Sequence, residues 1–317
     1  MEAAGTLRSA PLDTPRRLPR NALLLALAFT GAGCSIERYA TGKVADALSA
    51  TGGTFASDED VELIREASPF GLKLMENVLE SQPEHQELLT ALSRGFVQYT
   101  FAFVAEDADA VEAESVERAE ALHERARKLY LRGREYGLRA LEVCRPGFRA
   151  ALLRDPRAAA AMLEKRAIEP LYWTAAAWGA SLALSKDRPD AVADQPALEA
   201  LLDRALALDE RFGDGGLHAL LVAYEPSRIG GERGADERAR AHFERAVELS
   251  HGLAAGPYVA LAESVSVARQ DRREFLALLE KALAIDVDAA PDRRVENLVQ
   301  QGRARRLVAR VDELFLE

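Results

Sequence analysis

From Ser57 onward, apolar side chains recur every three or four residues, and no segment longer than about five residues alternates apolar with polar between turn signals. A chain patterned this way has no half-buried strands to offer a sheet. Each helix must instead bury one face against another helix. The fold class this predicts is all-α. A cap-like Ser57-Asp58-Glu59-Asp60 opens a helical stretch to Glu80, which Pro69 is expected to divide because its ring cannot continue the hydrogen bonding. Further helices are expected near 84–105, 114–143, 147–165, 168–185, 196–209, 215–225, 235–250, 256–269, 271–286 and 292–315, set apart by Pro, Gly and Asp.

Four helices carry one spacing. Ala126, Tyr130, Gly133 and Tyr136 stand at offsets 0, 4, 7 and 10, as do Leu198, Leu202, Ala205 and Leu208. Ala239, Phe243, Ala246 and Leu249 repeat it, and so do Phe275, Leu279, Ala282 and Ile285. Starts at 126, 198, 239 and 275 lie 72, 41 and 36 residues apart, so the first gap has room for a degenerate copy. A small third residue lets a neighbouring helix approach closely, and the bulky residue one turn earlier fills the groove. That is the pattern of the second helix in a tetratricopeptide-like pair, whose period is about 34 residues. The first helices lack the Trp, Leu, Gly and Tyr spacing of that repeat, and a generic amphipathic helix reproduces the first three offsets by geometry alone. The expected architecture is one helical-repeat array, an α-solenoid, over residues 57–317.

The N-terminus reads as an address. Arg8, Arg16, Arg17 and Arg20 precede the apolar run Ala22–Phe29, and Thr30-Gly31-Ala32-Gly33 leads to Cys34. A basic segment, a short apolar segment and small residues are the anatomy of a secretory signal, and the run to Gly33 is too short to cross a bilayer as a helix. Cys34 after these small residues resembles the bacterial lipobox, although Gly31 stands where Leu is usual. The expectation is a signal peptide over 1–33, lipidation at Cys34 and a tether of small residues over 34–56. Ser35 in place of Asp points to the outer rather than the inner membrane. The protein is then periplasmic and lipid-anchored.

Composition narrows the function further. The net charge is −10 and the pI about 5.2, which argues against nucleic acid as a partner, since phosphate binding needs concentrated Lys and Arg. Two cysteines exclude a disulfide framework and any four-cysteine zinc site. Cys144, at the end of a helical pattern, reads as a packing residue. His85, His123, His218, His242 and His251 show no metal-ligand pairing at i, i+4. There is no Gly-x-Ser-x-Gly elbow, and Gly231-Glu232-Arg233-Gly234 is no Walker loop. Asp58 and Asp60 read as helix caps. Neither catalysis, nor a metal, nor a cofactor is expected.

Several collinear segments carry a family resemblance: Thr54–Leu63 leading into Ala67-Ser68-Pro69-Phe70-Gly71-Leu72, then Leu129–Leu141, Pro170-Leu171-Tyr172-Trp173 with Trp178, Gly230-Gly231 before Ala239–Ala246, and Glu296-Asn297-Leu298 with Asp312–Phe315. Together they resemble the TatT family, the T-component of tripartite ATP-independent periplasmic (TRAP) transporters. The resemblance implies a non-catalytic helical lipoprotein that works beside a periplasmic solute-binding protein, the P-component, and holds or passes a small ligand. Self-association as a homo-oligomer is compatible with it. The candidate groove residues are Tyr172, Trp173, Trp178, Gly230, Gly231 and Asn297. Trp173 and Trp178, five positions apart, point roughly 140° away from each other on an ideal helix, so at most one faces a given groove. The competing reading makes both tryptophans packing residues and Gly230-Gly231 a loop between paired helices. An envelope-assembly scaffold that binds protein segments is the alternative function.

Overall fold

The computed structural model describes residues 39–316 apart from Thr51, residues 186–187, residues 189–192 and Glu232, so Cys34 and the leader lie outside the described residues. Among the described residues there are helices and turns and no strand: the protein is all-α. Part of the stretch expected as a tether is helical. Residues 39–49 form α1 and Gly52–Ala56 form α2. Ala45 is fully buried with Leu72, Leu79 and Leu88, and Asp46 reaches His85 at 3.1 Å, so the small residues here serve close packing.

Helix α3 spans Val61–Ser81, with Asp60 accepting the N–H groups of Glu62 and Leu63 while Asp58 accepts that of Asp60 at 2.8 Å. Both acids are thus used as caps. Pro69 does not divide α3, contrary to expectation. It stands on the exposed side, where the carbonyl freed one turn earlier can be hydrated. Helix α4 (Gln86–Tyr99) runs through a π-helical turn, Thr100–Ala105, into α5 (Glu106–Val111), past the end expected at 105. By length and composition this run could cross a membrane, but 61% of its most apolar stretch is buried inside the protein, and it packs on α3 and on two helices that follow. It is a core helix.

Helix α6 spans Val116–Cys144. The single helix expected over 147–165 is two, α7 (Phe148–Arg154) and α8 (Pro156–Ala161), because Asp155 ends the first and caps the second, accepting Ala158 N–H at 3.0 Å. Then follow α9 (Ile168–Ala183), α10 (Gln195–Leu208), α11 (Gly216–Tyr224), α12 (Ala235–Leu249) and α13 (Gly256–Leu261), which passes into a π-helical turn, Ala262–Ser266. Helices α14 (Arg272–Leu283), α15 (Arg294–Ala309) and α16 (Val311–Leu314) complete the fold. The break at Arg310 interrupts the terminal helix expected over 292–315.

In each of the four spaced sets the first and third residues are buried, with Gly133, Ala205, Ala246 and Ala282 at the third position. Close approach is the consequence. A Cβ at Gly133 would stand 3.3 Å from Phe96 Cβ and from the Ser93 carbonyl oxygen, and 3.7 Å from Ala177 Cβ. At Gly137 it would overlap the Thr174 hydroxyl and lie 2.9 Å from Ser93 Oγ. Helices α4, α6 and α9 therefore meet along a seam of small side chains. Gly215, at φ +97°, does the same for α11, where a Cβ would come within 2.7 Å of the Ala246 carbonyl oxygen.

Successive helices pack on one another along the chain, and α15 then returns to the beginning, lying against α2 and α3. Arg294 donates to the Ser57 carbonyl at 2.7 Å, Arg303 to Glu106 at 2.5 Å and to Asp109 at 3.0 Å, and Arg310 to Glu112 at 3.2 Å. The helices thus close head to tail. Gly137→Ala should destabilise the protein by about 1–3 kcal/mol, as overpacking does. Gly71→Ala, where a Cβ meets nothing within 4 Å, should stabilise by about 0.5–1 kcal/mol. Urea midpoints measured side by side check the opposite signs.

Candidate functional site

The inner face of α15 carries Glu296, Gln300 and Arg303, spaced so that they share one side of the helix, and Arg293, in the turn just before it, continues that side. Its other side is polar too but spent on the fold. Asn297, fully buried, accepts Ala255 N–H at 2.9 Å and donates to the Leu253 carbonyl at 2.9 Å. Gln301 donates to the Ile285 carbonyl at 2.8 Å and so closes the end of α14.

Opposite the inner face stands α9. Tyr172 meets Trp173 edge-on at 4.8 Å between ring centroids and Phe212 at 5.1 Å. Its hydroxyl lies over Gly216, where a Cβ would be 3.4 Å away. Arg293 ties the facing walls together by donating to the Gly213 carbonyl at 2.8 Å and to that of Asp214 at 3.1 Å. Gly256, at the start of α13, approaches Gln300 and Glu296, whose Nε2 and Oε1 would stand 3.5 Å and 3.6 Å from its Cβ. Glu296 is 50% exposed along its side chain, yet burial pushes its carboxyl above the usual range. Burial likewise pushes the Tyr172 hydroxyl up. Glu296 thus stands beside the Gly213–Asp214 loop, through Arg293, and beside Gly256, and the space between them forms a recess against α9.

Deeper along α15, Arg303 donates to both oxygens of Glu263 at 2.9 Å as well as to Glu106 and Asp109. Arg306 also pairs with Glu106, which is 5% exposed. Tyr130, 3% exposed, lies close enough to feel the charges of Arg303 and Asp109.

Of the six groove candidates, Tyr172 borders this recess with Trp173 edge-on against its ring, Trp173 also packing on the cluster of Val97, Val104, Ala126 and Tyr130, and the other four stand apart. Trp178 is 5% exposed in the apolar cluster against which Tyr172 also packs, with Arg134 over its ring at 4.8 Å and its indole N–H donating to Asp194 at 3.3 Å. Gly230 and Gly231 turn the chain ahead of α12, with Gly230 at φ +64° and the Gly231 carbonyl accepting from Arg238 at 2.5 Å. Both polar groups of Asn297 are committed to the loop before α13. Glu296 and Gln300 escaped the sequence reading because both faces of α15 are polar. Cys144 packs half-buried beside the cluster that holds Trp178, and burial raises its thiol pKa, the reverse of what a nucleophile needs. Among the described residues no group of three His, Cys, Asp or Glu could hold a metal ion.

The family model described as TRAP transporter T-component matches residues 57–315. The chain belongs to that family. It is also 28% identical over 303 residues, 93% of each chain, to an uncharacterized protein of Treponema pallidum (strain Nichols). Membership makes it a transporter component, associated with other TRAP components at the cell envelope.

In this T-component the closure of the helices depends on paired charges. Removing one partner of a buried pair leaves the other uncompensated, so Arg303→Met should cost about 3–5 kcal/mol, toward the lower end because Arg306 still faces Glu106. Thermal unfolding checks it.

A second charge-sensitive pair sits between α11 and α12. His218 Nδ1 and His242 Nδ1 are 2.9 Å apart, so one donates and the other accepts. His218 Nε2 is buried with no hydrogen-bond partner, and the Glu210 carboxylate is 3.8 Å away. Burial lowers both pKa values; Glu210 opposes and Arg245 reinforces this at His218, while Glu225 opposes and Arg228 and Arg238 reinforce it at His242. With folded values below the ordinary value near 6.5, the stabilisation is present above about pH 6.5 and is lost as the pH falls through the folded values. Denaturation midpoints should therefore drop between pH 7.5 and 5, and His242→Gln should flatten that slope.

Proposed function

We propose that this T-component is an exported lipoprotein anchored through Cys34, in which tetratricopeptide-like helix pairs frame a ligand recess and dock a periplasmic solute-binding protein. The leader of residues 1–33 and Ser35 support retention at the outer membrane. The observation that carries the reading is the recess itself: Tyr172, Trp173, Phe212, Glu296 and Gln300 come from α9, the α10–α11 loop and α15, brought together by closure of the chain on itself. A protein-segment scaffold would use an open outer face. Here Glu296, Gln300 and the Tyr172 hydroxyl lie between facing elements, which suits a small solute. A lipid anchor would hold this recess near the membrane and raise its effective concentration for a partner there.

The test is capture of the full chain, tagged at its C-terminus, from native envelopes after in-cell cross-linking. Recovery of a TRAP-type solute-binding protein is the expected outcome. Recovery of envelope-assembly proteins in its place would overturn the docking role. Cys34→Ala should release the protein from the membrane fraction if the anchor is as proposed.

A further inference from the structure

The arginines of the recess are already spent on the protein. Arg293 donates to the Gly213 and Asp214 carbonyls and stands 3.6 Å from the Asp214 carboxylate and 3.7 Å from that of Glu296. Arg303 is saturated by Glu263, Glu106 and Asp109, and Arg306 faces Glu106. What remains for an occupant is a set of acceptors. Glu296 has no nearer charged partner than Arg293. Gln300 Oε1 is buried with no hydrogen-bond partner. The Tyr172 hydroxyl makes no hydrogen bond among the described residues and can act either way. Around these lie the rings of Tyr172, Trp173 and Phe212.

An anionic solute would find no free cation here among the described residues and would meet the Glu296 carboxylate. A neutral apolar solute would leave the buried Gln300 oxygen unanswered. A donor with positive charge satisfies every group at once: it pairs with the carboxylate, donates to the amide oxygen and lies against aromatic faces that attract cations. We propose that the recess bounded by Tyr172, Trp173, Phe212, Glu296 and Gln300 binds a small organic ammonium compound, its charged head taken by Glu296 and Gln300 and its apolar part by the rings. This deepens the transport reading, on which it rests for its physiological meaning, by naming the class of solute.

Three probes of one shape separate the head groups: 2-phenylethylammonium, 2-phenylethanol and phenylacetate, titrated calorimetrically into the full chain at pH 7.5. The ammonium should bind at least tenfold more tightly than the alcohol, and phenylacetate should not bind. Glu296→Gln should abolish that preference, whereas Glu280→Gln, which removes one exposed surface charge, should keep it. Equal binding of ammonium and alcohol, preference for phenylacetate, or binding of none of the three by the unaltered chain overturns the proposal without recourse to any variant. A preference unchanged in Glu296→Gln also overturns it. An ammonium preference in a chain that captures no solute-binding protein would leave the ligand class standing and sink docking; capture without the preference would do the reverse.

Discussion

The meeting of Arg303 with Glu106, Asp109 and Glu263 is the contact on which the interior of this protein depends. Among the described residues, none of the four apolar clusters includes both α15 and the first helices. Apolar packing joins each helix to its neighbours along the chain, while the return of the last long helix to the first rests on guanidinium–carboxylate pairs and a backbone carbonyl. Arg303 and Glu106 are 197 residues apart in sequence. Their encounter therefore sums the packing angles of everything between them. Directional charge pairs suit such a junction because they fix one register, whereas an apolar contact tolerates sliding. Glu106 needs two guanidiniums because a carboxylate so deeply buried is costly when alone.

That arrangement also decides the chemistry left over. Charges enlisted to close the helices are unavailable to a solute, and Arg293 is consumed in joining α15 to the loop beside Phe212. The recess consequently carries an excess of acceptors although the chain contributes several arginines to it. Net charge alone does not convey this. The overall value of −10 reflects solvated helix faces as much as the interior, whereas the local balance follows from which pairs are made.

Fold class and most helices could be read from periodicity and from the Pro, Gly and Asp stops, and the cap-like run at Asp60 does accept N–H groups in the turn it precedes; Asp155 does the same, yet the helix expected over 147–165 runs through it because apolar spacing continues on both sides. The small third residues at Gly133, Ala205, Ala246 and Ala282 were legible as sites of close approach for the same reason: helical geometry is local. Pro69 misled because breaking a helix depends on what can hydrate the freed carbonyl, which is a matter of exposure. Tyr172 and Trp173 could be singled out as aromatics on an otherwise Ala-rich helix. Glu296, Gln300 and Arg303 could not, since α15 has polar residues on its buried side, Asn297 and Gln301, and so shows no contrast between faces. Nothing local distinguishes Asn297, which holds a loop, from Glu296, which faces the recess one position earlier.

This difference bears on what family membership can mean for the solute. Within the segments that carry the resemblance, Leu129–Leu141 and Pro170–Ala180 hold the places where helices touch most closely: Gly133, Gly137, Thr174 and Ala177. At Gly137 even one added methyl would meet the Thr174 hydroxyl, so the frame restricts sequence severely there. Glu296 is half exposed and makes no hydrogen bond on which the fold relies, so exchange at that position disturbs little packing. Family membership therefore speaks first to the frame, where Gly137 admits no larger side chain, and less to the chemistry beside Glu296.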